Sequence, residues 1–121
     1  IMFYPDSGLL AISTETDNEY VEPLIQEVYH EIDRLHQEPV SAEELTIVRN
    51  YMLGEMCRSY ESPFSLSDAW IFIATSGLDD DYFSRSLLAV NEVTPMEIQD
   101  LAQRYLCKET LKEVIAGKKL S

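Results

Sequence analysis

The histidines and the acidic residues near them are the first candidates for metal chemistry. His30 and His36 are the two histidines of the chain. A spacing of six residues places them about 120° apart around a helix axis, so they cannot chelate one ion together. Glu27 and His30 form one E-x-x-H pair, which resembles half of a di-iron motif, but that motif requires two such pairs. We therefore predict a solvated, charged helix face here and no metal ligand.

The other candidate motifs are also incomplete. His30 is followed by Arg34 at the position where H-E-x-x-H needs its second histidine, and H-x-x-E-H does not occur. The acidic run 79–81 lacks the D-x-D-x-D-G loop that binds calcium, and we interpret it as stabilising a helix start. Cys57 and Cys107 show no C-x-x-C or zinc-finger spacing and are predicted to be buried free thiols. The sequence thus predicts no catalytic, cofactor-binding or metal residue in the chain.

Composition narrows the possible partners. The chain has 121 residues, 45% of them hydrophobic, which is enough for one domain or part of a larger one to bury a core. Asp and Glu total 22 against 9 Lys and Arg, giving a net charge of −13. This charge repels phosphate backbones and anionic membranes, so nucleic acid and membrane are excluded as expected partners. Basic peptides are compatible with it, although a solvated acidic surface is the simpler interpretation.

No targeting signal in the sequence indicates a cellular compartment. No apolar run approaches the roughly 18 residues of a membrane span. The N-terminal run 1–4 has neither a basic region nor a signal-peptide pattern. We expect a soluble chain whose localisation the sequence does not indicate.

The chain begins with a predicted β-hairpin. Residues 1–4 are apolar and aromatic, Pro5 to Gly8 supply turn chemistry, and residues 9–14 alternate with Leu10 and Ile12 on one face. A third strand is predicted at 111–116, ending at Gly117.

Five helices are predicted between these strands, from amphipathic periodicity and capping residues. Their expected positions are 17 or 18 to about 37, 42 to about 59 after the Ser41–Glu44 capping box, 63 to 77 after Ser62, a helix starting at 79–81, and one starting at the Thr94–Glu97 capping box.

The predicted fold class is therefore α+β. A small antiparallel sheet, with strands at about 1–4, 9–14 and 111–116, would carry about five helices on one side. Three strands make an incomplete sheet, so residues 1–121 are predicted to form one partial domain.

Two sequence motifs in a fixed order resemble those of a known protein family. P-V-S-A-E-E-L occupies residues 39–45, and V-T-P-M-E-I occupies 93–98, followed by Ala102 and Tyr105-Leu106. From about Gly8 to Gly117 the chain resembles the later part of a C-terminal, non-catalytic domain of the insulinase/pitrilysin family of zinc peptidases, which includes the mitochondrial processing peptidases.

The resemblance implies a role without catalysis. Members of this family enclose a chamber between two similar halves, and the zinc lies in the N-terminal half on H-x-x-E-H with a later Glu. The C-terminal half contributes an Arg and a Tyr near the substrate, on a segment that would lie upstream of the first strand here. The implied function is a chamber-wall scaffold of a zinc metalloendopeptidase. Its implied partners are the N-terminal catalytic half, in the same or another chain, and the parent's peptide substrate.

Two alternatives stay open from the sequence. The parent could be an inactive homologue that acts as a partner subunit or a peptide-binding module. The chain could also be an unrelated acidic helical interaction domain, which an all-helical bundle without a sheet would favour. Open strand edges also predict self-association.

Overall fold

Helices dominate the computed structural model, which describes residues 2–4 and 6–117. The five helices are α1 (Val21–Gln37), α2 (Ala42–Arg58), α3 (Pro63–Ser76), α4 (Tyr82–Glu92) and α5 (Pro95–Tyr105). Two short strands, β1 (Met2–Tyr4) and β2 (Ser7–Leu9), precede them, and short 3-10 helices cover Asn18–Tyr20 and Lys108–Thr110.

Capping residues fix the helix boundaries as predicted. The Ser62 hydroxyl accepts a hydrogen bond from the Ser65 amide, with Pro63 as the first residue of α3. Gly77 ends α3 with φ of 65°, a left-handed conformation that glycine adopts without steric cost. At α5, the Thr94 amide donates to the Glu97 carboxylate at 2.8 Å, and the Thr94 hydroxyl accepts from the Glu97 amide. The five predicted helices are confirmed. At α3 and α5 local side chains satisfy free amides, whereas no side chain of the N-cap residue does so at α1 or α4.

The predicted hairpin is present but shorter than expected. β1 and β2 pair antiparallel, with Met2 opposite Leu9 and Tyr4 opposite Ser7. The predicted strand 9–14 is wrong, because pairing ends at Leu9 and residues 10–17 are irregular. Ile1 of the first predicted strand and Pro5 of the predicted turn lie outside the described residues.

The α+β fold class is also wrong. Residues 111–116, predicted as the third strand, are irregular, and β1 and β2 form the only paired strands in the described part of the chain. Two three-residue strands do not make a sheet on which helices could pack. Alternating or β-branched residues form strands only where a neighbouring strand supplies hydrogen bonds, and segments 10–14 and 111–116 have no such neighbour here.

The described chain divides into two compact units. The first contains the hairpin segment, up to Ala11, and Ala42–Val93 with α2, α3 and α4. Leu45 and Ile73 are its buried residues. Arg49 of α2, which is half-buried, donates from Nε to the Val90 carbonyl at 3.1 Å and from a terminal nitrogen to the Val93 carbonyl. This residue joins α2 to the carboxyl end of α4.

An aromatic cluster supplies most of the other packing in the first unit. The ring of Tyr60 lies edge-on to Phe83 at 4.8 Å between centroids, and Tyr82 is 5.7 Å from Phe83. Phe72 of α3 lies 6.0 Å from Tyr82. Burial, and then the nearby Tyr82, raise the pKa of Tyr60. The cluster therefore holds α3 and α4 against the residues that follow α2.

The second unit pairs α1 with α5. It contains Ile12–Ser41 and the chain from Thr94 onwards. Ile32 of α1 and Ala102 of α5 are buried. Gln99 and Gln103 of α5 both donate to the His36 carbonyl, at 3.0 and 2.7 Å. The two amides therefore bind α5 to the carboxyl end of α1.

Replacing Arg49 with Ala should lower the free energy of unfolding by about 1–3 kcal/mol, because the half-buried carbonyls of Val90 and Val93 would lose a charged donor. Urea denaturation followed by circular dichroism measures this change. Arg58→Ala is the matched control, since Arg58 pairs with Glu55 on the surface, and it should change stability much less. Equal losses in the two variants would contradict this role of Arg49.

The α5 cap predicts a pH-dependent stability. Hydrogen bonds from the backbone and then the side chain of Thr94 lower the pKa of Glu97 below its ordinary value of 4.5. The stabilisation is present above that ordinary value and is lost as the pH falls through the lowered pKa.

We expect Glu97→Gln to remove this part of the acid destabilisation in denaturation curves recorded across a pH series. Glu38→Gln, which removes an exposed carboxylate after α1, corrects for the change in net charge. An identical acid response in the wild type and Glu97→Gln would rule out the cap as its source.

Candidate functional site

The candidate metal ligands are separated from one another in the structure. His30 and Glu27 are both exposed on α1. His36 lies at the end of α1, and its Nε2 is 3.0 Å from the Ala102 carbonyl. A carbonyl only accepts, so Nε2 carries the hydrogen in this bond. Among the described residues, no group of three or more His, Cys, Asp or Glu side chains could hold a metal ion.

The acidic run 79–81 lies at the start of α4, where it was predicted. Asp79, Asp80 and Asp81, with Leu78, line a shallow surface depression. A terminal nitrogen of Arg85 lies 3.5 Å from Asp81 and 3.8 Å from Asp79, and all three side chains are mainly exposed. These contacts are loose surface ion pairs, typical of a solvated helix start.

The prediction for the cysteines is confirmed for their free thiols and wrong for their burial. Cys57 and Cys107 are both free thiols, but Cys57 is exposed on α2 and Cys107 is half-buried after α5. Neither is buried, because each lies near an end of its helix, where less of the side chain is covered.

A polar cluster holds the segment after α5 against α1. The Tyr29 hydroxyl donates to the Glu113 carboxylate at 2.8 Å. The Lys108 ammonium pairs with Asp33 and lies 5.6 Å from the centre of the Tyr29 ring. Sequence periodicity missed this cluster because its members are about 80 residues apart. The predicted strand 111–116 is therefore an irregular segment anchored by side chains.

Exposed apolar side chains are the most prominent surface feature of the described residues. On α2 they are Ile47, Val48, Tyr51 and Met52; on α3 they are Phe64, Leu66, Trp70 and Ile71; and Val114 and Ile115 lie in the anchored segment. On α2, Leu45 is buried whereas Val48 and Met52 are exposed. Uncovered apolar surface of this extent is typical of a protein–protein interface.

The described helices are not membrane spans, since none is both long and apolar enough to cross a bilayer.

Comparison with known proteins finds a similarity to one protein family over part of the chain. Residues 1–52 match the family model described as the Peptidase M16 inactive domain. No curated protein and no solved structure matches the chain. The match confirms the predicted resemblance to a non-catalytic C-terminal domain of insulinase-type peptidases over these residues. It also agrees with the prediction that this part of the fold carries no zinc site. The resemblance from residue 53 to Gly117 stays a prediction.

The anchored segment can be tested through Tyr29. The hydrogen bond to Glu113, then burial, then the Glu113 charge raise the pKa of Tyr29 above its ordinary value of 10. The stabilisation is complete below that value and is lost as the pH rises through the raised pKa. Ultraviolet titration of the wild type, minus that of Tyr29→Phe, isolates this phenol. Its pKa should fall in Glu113→Gln and stay raised in the control Glu109→Gln. No response to Glu113→Gln would contradict the contact.

Proposed function

We propose that the chain is a non-catalytic scaffold of an M16-type zinc metallopeptidase and forms part of the wall of its substrate chamber. The observation that carries this proposal is the match of residues 1–52 to the Peptidase M16 inactive domain. The matched stretch includes the hairpin, α1 and the first turns of α2, so it draws on both compact units. We further propose that residues 1–121 function together as one partial domain of that type.

The proposed roles of the catalytic half and of this chain follow from the chemistry of the family. Peptide hydrolysis would use a zinc-activated water, with a Glu as general base, in the N-terminal catalytic half. Because H-x-x-E-H does not occur in this sequence, that half would be supplied by the same or another polypeptide. The described residues would contribute packing surface and, through their carboxylates, a negative field.

The exposed apolar side chains support a role that depends on partners. Ile47 and Tyr51 on α2, for example, are both about two-thirds exposed. Covering side chains of this size would stabilise a complex by about 1.5–3 kcal/mol each before the costs of association. Self-association through strand edges stays a prediction alongside this pairing.

Two alternatives lead to different outcomes. The mostly helical structure is the observation that would favour an unrelated helical interaction domain, but the match to the inactive domain favours the peptidase family. An inactive homologue, serving as a partner subunit or peptide-binding module, would pair through the same surfaces and would lack hydrolysis in the complex.

The test has two parts. We expect the chain alone, loaded with zinc and dialysed, to retain less than stoichiometric metal by elemental analysis and to cleave no peptide. Glu27→Gln with His30→Ala is the matched variant and should retain the same trace amount. One tightly held zinc per wild-type chain would overturn the proposal.

The second part identifies the partner. Native affinity capture, followed by sequencing of the co-purified chain or of the longer parent chain, should find H-x-x-E-H, and the complex should hydrolyse peptides until zinc is chelated. A partner or parent without that motif, and a complex without hydrolysis, would support the inactive homologue instead.

A further inference from the structure

Helix α3 has the sequence of a buried helix and the exposure of a surface helix. Asp68 is the single charged residue among its 14 residues. Apolar residues occur all around the helix, a pattern typical of helices covered on every side. Ile73 is 3% exposed and Phe72 joins the aromatic cluster, so one side of α3 is covered within the first unit.

Much of the remaining surface of α3 is uncovered. Phe64 is 83% exposed, Ile71 57%, Trp70 46% and Leu66 43%. We call these four residues the α3 outer face. At about 100° per residue they form two rows about 130° apart, Phe64 with Ile71 and Leu66 with Trp70, and the second row borders the buried Ile73. The small residues Ser67 and Ala74 lie between these rows, so another backbone could approach closely there.

Carboxylates precede α3, follow it and occur once within it. Glu61 precedes the helix, Asp68 lies one turn after Phe64, and residues 79–81 follow the helix end. The first unit has ten carboxylates and three arginines, namely Asp6, Glu43, Glu44, Glu55, Glu61, Asp68, Asp79, Asp80, Asp81 and Glu92 against Arg49, Arg58 and Arg85.

All three arginines of this unit are already engaged. Arg49 donates to the Val90 and Val93 carbonyls, Arg58 pairs with Glu55, and Arg85 lies between Asp79 and Asp81. A second copy of the same unit would bring ten further carboxylates and only three arginines, so the net charges of the two copies would repel each other. Like charges at an interface disfavour the pairing, whereas opposite charges at its rim speed and orient it.

We propose that the α3 outer face is a docking surface for a partner protein whose own contact surface is apolar at its centre and carries Lys and Arg at its rim. The apolar centre would cover Phe64, Trp70 and Ile71, and the basic rim would face Asp68 and residues 79–81. The inference goes beyond the proposed function, because it depends on the burial and charge of the first unit and on no catalytic partner.

Trp70 makes the proposal directly measurable, since it is the single tryptophan of the chain and lies within the α3 outer face. Two synthetic amphipathic peptides serve as probes, with identical Leu positions and either Lys or Glu at all other positions. The Lys peptide should shift the Trp70 emission to shorter wavelength in a saturable way, and added salt should weaken its binding. The Glu peptide should bind at least about tenfold more weakly.

Paired variants separate docking from general attraction to an acidic protein. Phe64→Ser with Ile71→Ser should weaken binding of the Lys peptide at least about tenfold, because the apolar centre is lost. Val114→Ser with Ile115→Ser removes comparable exposed apolar surface in the second unit and should leave the affinity unchanged. Asp68→Asn should weaken binding several-fold, and Asp100→Asn on α5 should not.

Three results would overturn the proposal. The first is equal binding of the two peptides, and the second is equal loss of affinity in the two pairs of Ser variants. The third is a homodimer in sedimentation velocity that Phe64→Ser with Ile71→Ser dissociates, because the occupant would then be a second copy. Circular dichroism of each variant verifies that its helices are retained. The zinc analysis and the partner capture test only the proposed scaffold function. A negative result there would not change the expected peptide binding, so the two proposals can be contradicted separately.

Discussion

The carboxyl ends of α1 and α4 each present carbonyl oxygens that have no partner within their own helix, and a side chain from another helix supplies the donor. In one unit Arg49 reaches the carbonyls of Val90 and Val93. In the other, Gln99 and Gln103 converge on the carbonyl of His36. Because few side chains of the described residues are buried, namely Ile32, Leu45, Ile73 and Ala102, these polar contacts decide which helices pair. Apolar contacts alone would allow adjacent helices to slide past one another, whereas a donor aimed at a terminal carbonyl fixes their register.

The sequence predicts the local parts of this fold well and the non-local parts poorly. The starts of α3 and α5 follow from Ser62 and Thr94, because a capping side chain and the amides that it satisfies lie within four residues of each other. The strand at 111–116 fails for the opposite reason. Its β-branched residues, Val114 and Ile115, are compatible with a strand, but a strand exists only where a second one pairs with it.

The periodicity of apolar residues in the sequence did not predict the residues that stabilise each unit internally. Arg49 belongs to no sequence motif, and its carbonyl partners are about 40 residues away. The Tyr29–Glu113 bond spans an even longer separation. Metal sites are easier to predict, because they need particular residue types at particular spacings. No comparable rule predicts which exposed helix face will accept a partner, and the α3 outer face emerged only from the structure.

The charge of the chain and its exposed apolar surface have to be considered together. Exposed Phe, Trp and Ile side chains on α3 would promote nonspecific association in a neutral protein. A net charge of −13 opposes contact between identical copies while it leaves contact with a basic surface favourable. In the proposed docking, the same carboxylates favour a basic protein surface as the cover of the apolar residues.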